Sequence, residues 1–483
     1  MSPRAERAML WAIVAVALAV RLFFLFGAPN VFSAEHEGYS KINLMFQWDQ
    51  SPLPYPDTNF GPLHTLFLWI PWKLTGHAVW PARLLTLAMG MLLLWPLVRL
   101  VRRHAGPEAA GASLFAGAFL YPLSVASVVT LSEVPFVCCT LWAIDLLDDV
   151  VAHQRTAWAK LVGAALAAAA AAAFRFEGWP LLVVYVGWLA AHRRFRETLV
   201  FGAMVAVFPL MHMAECVRVT GNPFSFLGVS AEVSAIHASE VPLVDRIGLL
   251  PHALAATIGW PGLLLGLIGL VAAFTRRKLL LPAVSLVVLL ILLEKKAIDA
   301  TLDPRLLRYM SLSATLLVLF IALPLTTWAR TWRRSTWLVA LALVAAVVAG
   351  FSHANTVAAQ RMLGPDRAAF RFVEKLRPEL REDDRVLLGN EYHPIIVVES
   401  GLPWDRFRRP IYDAHGGIDR EQLRRLFEEW KPTLFFYDRS ESAFGEALGL
   451  PPGVSSTDIF GVAYARLWSH DRWSVFRRKD ETP

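Results

Sequence analysis

Long apolar segments alternate with short clusters of basic residues along this chain, and each cluster lies at the same end of a hydrophobic run. Between successive clusters the chain has room for two membrane crossings. Because the cytoplasmic loops of membrane proteins collect Lys and Arg, the alternation predicts a chain that crosses a membrane many times, with these clusters inside. The six clusters are Arg4/Arg7, Arg99/Arg102/Arg103, Arg155/Lys160, Arg193/Arg194/Arg196, Arg276/Arg277/Lys278 and Arg330/Arg333/Arg334.

An allowance of about 20 apolar residues per crossing predicts about eleven transmembrane helices, with the N-terminus in the cytoplasm and the C-terminus outside. The composition agrees, because a soluble chain with 55% hydrophobic and 18% charged residues would expose large apolar patches. The Ala- and Arg-rich, Lys-poor composition suggests a bacterial cytoplasmic membrane. The predicted crossings are residues 9–27, 82–101, 109–128, 133–149, 159–174, 178–192, 197–214, 247–274, 279–294, 309–328 and 336–353.

Three remaining bulk features narrow the class of protein. The first apolar run, which ends at Phe26, is long enough to span, and no convincing cleavage site follows, so we interpret it as a retained helix. The net charge of +7 is dispersed among helix ends, which argues against a nucleic-acid-binding face. The three cysteines form neither a disulfide framework nor a metal-ligand spacing.

Two regions are predicted to lie outside the membrane. The first outer loop, residues 28–80, contains the apolar piece Leu63–Leu74, which is too short to span, is broken by Pro71 and is typical of an interfacial helix. The second region, residues 353–483, holds more than half of the chain's 40 acidic residues. The sequence therefore predicts a transmembrane domain, 1–352, followed by an extracytoplasmic domain.

The C-terminal region shows helical and strand patterns in alternation, which is typical of a small α/β domain. Its predicted helices are Arg367–Arg377 and Arg420–Trp430, and its predicted strands are Arg385–Leu388, Thr433–Tyr437, Tyr464–Trp468 and Trp473–Phe476. It contains no phosphate-binding glycine motif, and we assign it no chemistry of its own.

The first outer loop carries the acids with the best placement for catalysis. Glu35, Glu37 and Asp57 are the candidate catalytic residues, because a carboxylate held at the membrane surface can deprotonate a hydroxyl or bind a cation. Simple solvation of acids in an outer loop is the alternative. The other polar residues expected to line a pocket in this loop are His36, Tyr39 and His64.

A group of cations precedes the crossing 309–328. Arg305 and Arg308 are three residues apart and share one face of a helix, so together they can grip a lipid phosphate. We predict that they bind a lipid phosphate and that Lys295 adds positive potential nearby. The alternative is that these side chains reach ordinary phospholipid headgroups.

Four further charged residues are predicted pocket residues on the outer side. Arg175 and Glu177 lie in a short turn between two crossings, where they either pair as a structural bridge or shape the pocket. Glu133 lies at the outer lip of its helix, where an acid favours the N-terminal dipole. Arg21 lies inside the first crossing and faces either a polar cavity or the outer headgroups.

These elements together resemble the GT-C superfamily of polytopic glycosyltransferases, in particular the protein O-mannosyltransferase and lipid A aminoarabinose transferase group. The resemblance covers roughly residues 1–330. It rests on Arg21, the acidic pair with Tyr39, Gly61-Pro62-Leu63, Ser132-Glu133-x-Pro135, Arg175-x-x-Gly178, Gly221-Asn222-Pro223-Phe224 and Arg308-Tyr309.

The resemblance implies a GT-C-like membrane fold and a sugar donor carried on polyprenyl phosphate. The family's Asp-Glu pair corresponds either to Glu35-His36 or to His36-Glu37, and neither alignment reproduces it, which leaves the catalytic base open. Arg308-Tyr309 is implied to hold the donor phosphate. Transfer to a hydroxyl of a lipid, glycan or protein acceptor would invert the anomeric centre. No metal ligands are predicted, although a divalent cation stays open.

Two other functions compete with transfer. A transporter or flippase would need ionisable residues near mid-membrane and internal repeats. Mid-span charges are scarce apart from Arg21 and from Asp145, which lies toward the cytoplasmic end of its helix, and no repeat is evident. A non-catalytic scaffold for envelope assembly is harder to exclude, because a decayed enzyme would also carry degenerate motifs.

Overall fold

A computed structural model describes residues 3–27, 33–50, 61–153, 157–226, 243–298, 310–331, 364–389, 394–408, 418–438, 442–450, 454–470 and 473–479. The chain divides into two compact units. Unit 1 comprises Met1–Pro29 and Trp48–Gln360, and unit 2 comprises Asn30–Gln47 and Arg361–Pro483. The sequence prediction places a single boundary at 352/353, whereas this division also assigns part of the first outer loop to the C-terminal unit.

Fourteen helices precede the C-terminal region among the described residues. They are α1 (Pro3–Gly27), α2 (Ser33–Gln50), α3 (Pro62–Thr75), α4 (Trp80–Leu92), α5 (Leu94–Ala105), α6 (Pro107–Ala118), α7 (Tyr121–Ala126), α8 (Glu133–Ala152), α9 (Trp158–Phe174), α10 (Trp179–Ala191), α11 (Phe195–Thr220), α12 (Leu243–Arg276), α13 (Leu280–Ile298) and α14 (Ser311–Thr331). A short 3-10 turn, Phe176–Gly178, joins α9 to α10.

The helices follow the predicted crossings closely. Ten of the eleven predicted segments coincide with helices or helix pairs, and the eleventh, 336–353, lies outside the described residues. Four described helical stretches are long and apolar enough to cross a membrane by length and composition alone, namely Glu6–Phe26, Trp80–Ala105, Phe195–Arg218 and Arg246–Arg276. The predicted total of eleven crossings and the orientation of the termini stay predictions.

Helix α3 coincides with the predicted interfacial piece, but the predicted break at Pro71 is wrong. The helix continues through Pro71 to Thr75, because a proline removes only one amide donor and its neighbours keep theirs. Gly76 ends the helix instead, in the left-handed conformation, and donates its N–H to the Trp72 carbonyl. Leu74 remains 81% exposed, which suits a helix that rests against lipid.

Helix α12 contains a kink. Gly259 has φ of 67° and ψ of 155°, which breaks the helical path between Pro251 and Pro261. Beyond the kink, Gly269 lies so close to α14 that an added Cβ would stand 2.0 Å from the Phe320 carbonyl oxygen. Small residues at such contacts let helix backbones approach in lipid, where packing drives association.

The C-terminal end of α8 is held by a buried ionic network. Asp145 is fully buried, accepts from Arg103 Nη2 at 3.1 Å through Oδ1, and forms an ion pair with Arg99, whose Nε lies 3.2 Å from Asp145 Oδ2. Arg103 also pairs with Asp148, and Asp149 Oδ1 is 3.6 Å from Arg103 Nη2. Asp145, which the sequence predicts near the cytoplasmic end of its helix, is therefore paired, as buried charges must be.

Unit 2 contains a six-stranded mixed sheet. Strands β1 (Val386–Leu388), β2 (Phe407–Arg408), β3 (Leu434–Asp438), β4 (Ser456–Ile459), β5 (Val462–His470) and β6 (Trp473–Arg478) are arranged in the order β2-β1-β3-β6-β5-β4. Strand β1 pairs in parallel with β2 and β3, and the other pairs are antiparallel. The helices of this region are α15 (Gly364–Leu376), α16 (Pro394–Glu399), α17 (Arg420–Trp430) and α18 (Ser442–Leu448).

All six predicted elements of the C-terminal region coincide with observed ones, whereas α16, α18, β2 and β4 were not predicted. Helix α17 begins as its sequence requires, because the Asp419 side chain accepts from the amides of Glu421 and Gln422. Segment Pro394–Glu399, with the sequence PIIVVE, has a strand-like composition but forms a buried helical turn.

The close approach of α12 to α14 predicts the outcome of a glycine substitution. Gly269→Ala should lower the free energy of unfolding by about 1–3 kcal/mol, because the new methyl group overlaps the Phe320 carbonyl. Gly187→Ala in α10 is the matched control, since nothing lies within 4 Å of its Cβ position. Thermal unfolding in detergent measures both, and equal midpoints for the two variants would contradict the close contact.

Candidate active site

Arg175 lies at the centre of the polar cluster in which the structure brings predicted pocket residues together. Its Nη1 donates to Glu133 Oε1 at 2.6 Å and to Ser132 Oγ at 3.3 Å. Its Nε and Nη2 donate to the two carboxylate oxygens of Glu177, each at 3.2 Å. This two-pronged geometry is the strongest arrangement for an arginine and a carboxylate. Arg175 and Glu177 therefore form the bridge that was one of the two sequence alternatives.

Lys296 completes the cluster from α13. Its Nζ lies 3.6 Å from Glu177 Oε1. Burial acts to raise the pKa of Glu177, but the charges of Arg175 and Lys296 and the Arg175 hydrogen bond outweigh it and lower that pKa to about 2. We name these four residues, Glu133, Arg175, Glu177 and Lys296, the ionic quartet.

The local sequence explains how the quartet forms. Helix α9 ends at Phe174, and Arg175 adopts an extended conformation that directs its side chain away from the helix axis. Gly178 then permits a close return, because a Cβ there would be 2.9 Å from the Ala172 Cα. Glu133 occupies the first turn of α8, where the helix dipole favours an acid.

The Gly61-Pro62-Leu63 element is fixed beside the quartet. A Cβ on Gly61 would stand 2.3 Å from the Ala173 carbonyl oxygen, so only glycine fits at this contact between the start of α3 and the end of α9. The Phe67 and Phe174 rings meet at 5.6 Å. His64, a predicted pocket residue, is buried on α3 with its ring 6.5 Å from that of Phe67.

An aromatic cluster packs next to the quartet. Phe226, at the end of the Gly221-Asn222-Pro223-Phe224 segment, has its ring 4.6 Å from Phe176, 5.1 Å from Trp179 and 5.1 Å from His212. Asn222 Oδ1 accepts from the Phe224 amide and shapes this turn. The convergence of these rings leaves no local signal in the sequence, because the rings come from the turn before α10, from α10 and α11, and from the segment after α11.

Arg21 is buried elsewhere and serves a different purpose. Its Nη1 donates to the Ala118 carbonyl at 2.8 Å, and its Nε donates to Ser127 Oγ at 3.4 Å. Ala118 ends α6, and the residue that would donate to its carbonyl in a continued helix is Pro122, which has no N–H. Arg21 therefore stabilises the break between α6 and α7 rather than joining the quartet.

The predicted residues of the first outer loop divide between the two units. Glu35, His36 and Glu37 lie in the first turns of α2, and their side chains are outside the described part of the structure. Tyr39 belongs to unit 2, where its hydroxyl donates to Glu399 Oε1. Asp57 lies outside the described residues.

The end of α2 is held in unit 1. Asp49 Oδ1 accepts from Trp69 Nε1 at 2.8 Å and Asp49 Oδ2 from Lys73 Nζ at 2.9 Å. Partial burial acts to raise the pKa of Asp49, but these hydrogen bonds and the Lys73 charge outweigh it, so the pKa lies below its usual value.

Of the predicted phosphate-binding residues, the structure describes only Lys295. Arg305, Arg308 and Tyr309 lie outside the described residues. Lys295 is exposed, and its neighbour Lys296 is the one that joins the quartet. A helical pattern favours Lys296 over Lys295 for this contact. The buried positions Leu289, Leu293 and Ala297 recur at helical spacing and place Lys296 next to the buried face.

The formal charges of the four quartet residues sum to zero. The quartet ties the ends of α8, α9 and α13 together and fixes Gly61 beside them. Within the described ranges, no group of three or more His, Cys, Asp or Glu side chains is arranged to hold a metal ion.

The lowered pKa of Glu177 predicts a pH-dependent stability. Because this pKa lies below the ordinary value of 4.5, ionised Glu177 stabilises the folded protein above about pH 4.5, and the stabilisation is lost as the pH falls toward 2. Glu177→Gln should cost on the order of 3 kcal/mol at pH 7, with a smaller cost at pH 3. Thermal unfolding from pH 3 to 7 measures this, and a pH-independent difference from wild type would contradict it. Glu446→Gln, at an exposed site, is the control.

The role of Arg21 predicts a second stability change. Arg21→Ala should lower the free energy of unfolding by about 1–3 kcal/mol, because the buried Ala118 carbonyl loses its charged donor. Arg196→Ala removes an exposed arginine from α11 and should change stability little. Thermal unfolding in detergent compares the two, and equal midpoints would refute the capping role.

Known proteins with similar sequences or folds share this architecture in part or over nearly the whole chain. Residues 57–213 match the family model described as dolichyl-phosphate-mannose-protein mannosyltransferase. A search of curated proteins finds no match.

Solved structures resemble the chain over nearly its whole length. ArnT from Cupriavidus metallidurans in the apo state is 15% identical with a TM-score of 0.64, covering 98% of this chain and 98% of that chain. The same protein bound to undecaprenyl phosphate is 14% identical with a TM-score of 0.63 and the same coverage.

A third similar structure is archaeal. The oligosaccharyltransferase AglB from Archaeoglobus fulgidus, in complex with an inhibitory peptide and a dolichol-phosphate, is 12% identical with a TM-score of 0.54, covering 90% of this chain and 70% of that chain. The resemblance predicted from the sequence is confirmed: this chain has an ArnT-like fold, and part of it matches the mannosyltransferase family model.

Proposed function

We propose that this protein is a membrane glycosyltransferase that moves a sugar from a polyprenyl-phosphate donor to an acceptor hydroxyl on the outer face of the membrane. The observation that carries the proposal is the likeness to ArnT over 98% of both chains, together with an ArnT structure that contains undecaprenyl phosphate. The match of residues 57–213 to the mannosyltransferase family supports the same class of reaction.

The catalytic base is one of the three acids predicted in the first outer loop. Asp57 is four residues before Gly61 in the sequence, and a chain of four residues spans at most about 14 Å. Glu35 and Glu37 lie in α2, in the part of the loop grouped with unit 2. Chain connectivity therefore favours Asp57, and the resemblance to the family's acidic pair favours Glu35 or Glu37.

The donor phosphate requires cations that the quartet does not supply, because Arg175 is engaged by two carboxylates. Lys295 is exposed at the end of α13 and leads directly into the segment that carries Arg305 and Arg308. Arg308 and Tyr309 immediately precede Met310, which is buried at the start of α14. We assign the donor phosphate to these cations, as the spacing of Arg305 and Arg308 predicts.

The transfer is a single displacement. The base takes the proton of the acceptor hydroxyl as its oxygen forms a bond to the anomeric carbon. The bond from that carbon to the phosphate oxygen breaks, and its electron pair leaves with the polyprenyl phosphate. Cations on the departing phosphate stabilise the developing charge by about 3 kcal/mol in a dry site, and the anomeric centre inverts.

Substitution of the three loop acids tests the proposal. Membranes or detergent-purified protein are incubated with a labelled polyprenyl-phosphate sugar and candidate acceptors, and product formation is followed by mass shift. Asp57→Asn, Glu35→Gln and Glu37→Gln are compared, and loss of the base should lower kcat by about 10²–10⁴-fold. Glu446→Gln is the control with an exposed acid removed. Transfer at the wild-type rate by all three folded variants would refute the role of these acids.

A further inference from the structure

We propose that the C-terminal domain holds helix α2 and thereby positions the acid-bearing part of the first outer loop, with Tyr39 and Glu399 as the positioning pair. The inference rests on the proposed function and extends it, because it gives the C-terminal domain a role in the transfer reaction. It concerns contacts that all lie within unit 2, which contains Asn30–Gln47 and Arg361–Pro483.

The first point of attachment is the Tyr39 side chain, which is 2% exposed. Its hydroxyl donates to Glu399 Oε1 across 360 residues of sequence, and its ring meets that of Phe370 edge-on at 5.5 Å. Glu399 is itself held, because Arg377 Nη2 lies 3.5 Å from Glu399 Oε2 and Arg377 Nε donates to the Glu399 carbonyl at 3.0 Å. Tyr39 therefore binds to a residue that the domain has already oriented.

The second point of attachment lies two turns further along α2. The Phe46 ring stacks on the Trp404 ring with centroids 5.9 Å apart and planes inclined by 28°. Between the two attachments, Ile42 and Met45 are fully buried. The spacing of Tyr39, Ile42 and Phe46 is that of one helix face, so the face that carries both attachments is the buried face of α2.

Packing of its buried face stabilises α2. The helix has 18 residues, and in proteins most helical stability comes from tertiary packing of one face rather than from helix propensity. Glu35 lies one turn before Tyr39, and Glu37 lies two residues before it. The position of these acids therefore depends on the contact of α2 with the C-terminal domain, and a misplacement of about 1 Å can cost on the order of 10²-fold in rate.

Hydrogen exchange of the α2 amides, followed in the full-length protein, tests docking independently of any activity. Tyr39→Phe keeps the ring contact with Phe370 and removes only the hydroxyl donor. Tyr464→Phe is the matched control, because its buried hydroxyl donates to the Pro432 carbonyl at 2.7 Å within the same domain and does not involve α2. We expect exchange over residues 33–47 to rise about tenfold or more in Tyr39→Phe and to stay at the wild-type rate in Tyr464→Phe.

Steady-state transfer kinetics on the same variants test positioning. Tyr39→Phe should lower kcat with little change in the KM for the donor, Glu399→Gln should do the same, and the double variant should fall no further than the worse single variant. Equal α2 exchange in Tyr39→Phe and Tyr464→Phe would overturn the docking. Raised exchange with an unchanged kcat would overturn the positioning role. A wild-type protein that transfers no sugar would refute the proposed function, while the exchange result still decides the docking.

Discussion

The pairing of charges at the two ends of α8 is the constraint on which the helical unit depends. At one end Glu133 accepts from Arg175, and at the other the acids near Asp145 hold Arg103. A buried charge without its partner costs several kcal/mol. A helix therefore packs stably against either end of α8 only if it supplies the opposite charge. The central helix therefore fixes the ends of α5, α9 and, through Glu177 and Lys296, α13.

The second constraint on the helical unit comes from its backbone, whose buried polar groups must be hydrogen-bonded and whose helices pack closely. This constraint explains charged and small residues that hydropathy alone does not. Arg21 lies in an apolar helix because the break after α6 leaves the Ala118 carbonyl without an amide donor, and each such group is costly in lipid. Gly61 and Gly269 stand where carbonyl oxygens of neighbouring helices leave no room for a Cβ. Arg21, Gly61 and Gly269 therefore have structural roles, and the candidate catalytic groups are those of the predicted outer loops.

Much of the fold was predictable because its signals are local. Apolar runs predicted ten observed helical segments, and α17 matches its predicted bounds at both ends. Strand β4 was missed because its sequence, STDI, contains one apolar residue and lacks an alternating pattern. The site was less predictable, since the pairing of Glu133 with Arg175 spans 42 residues and that of Tyr39 with Glu399 spans 360. Tertiary pairing of this kind leaves no periodic trace in the sequence.

The neutrality of the quartet constrains where the reaction's charge is stabilised. Transfer from a polyprenyl phosphate leaves a phosphate anion, and an arginine already held by two carboxylates offers it little net attraction. Freeing Arg175 would leave Glu133 and Glu177 buried and unbalanced, at a cost greater than one new phosphate contact returns. The quartet therefore orders helix ends, and we keep the proposed donor phosphate with Arg305 and Arg308, because guanidinium groups suit a departing phosphate.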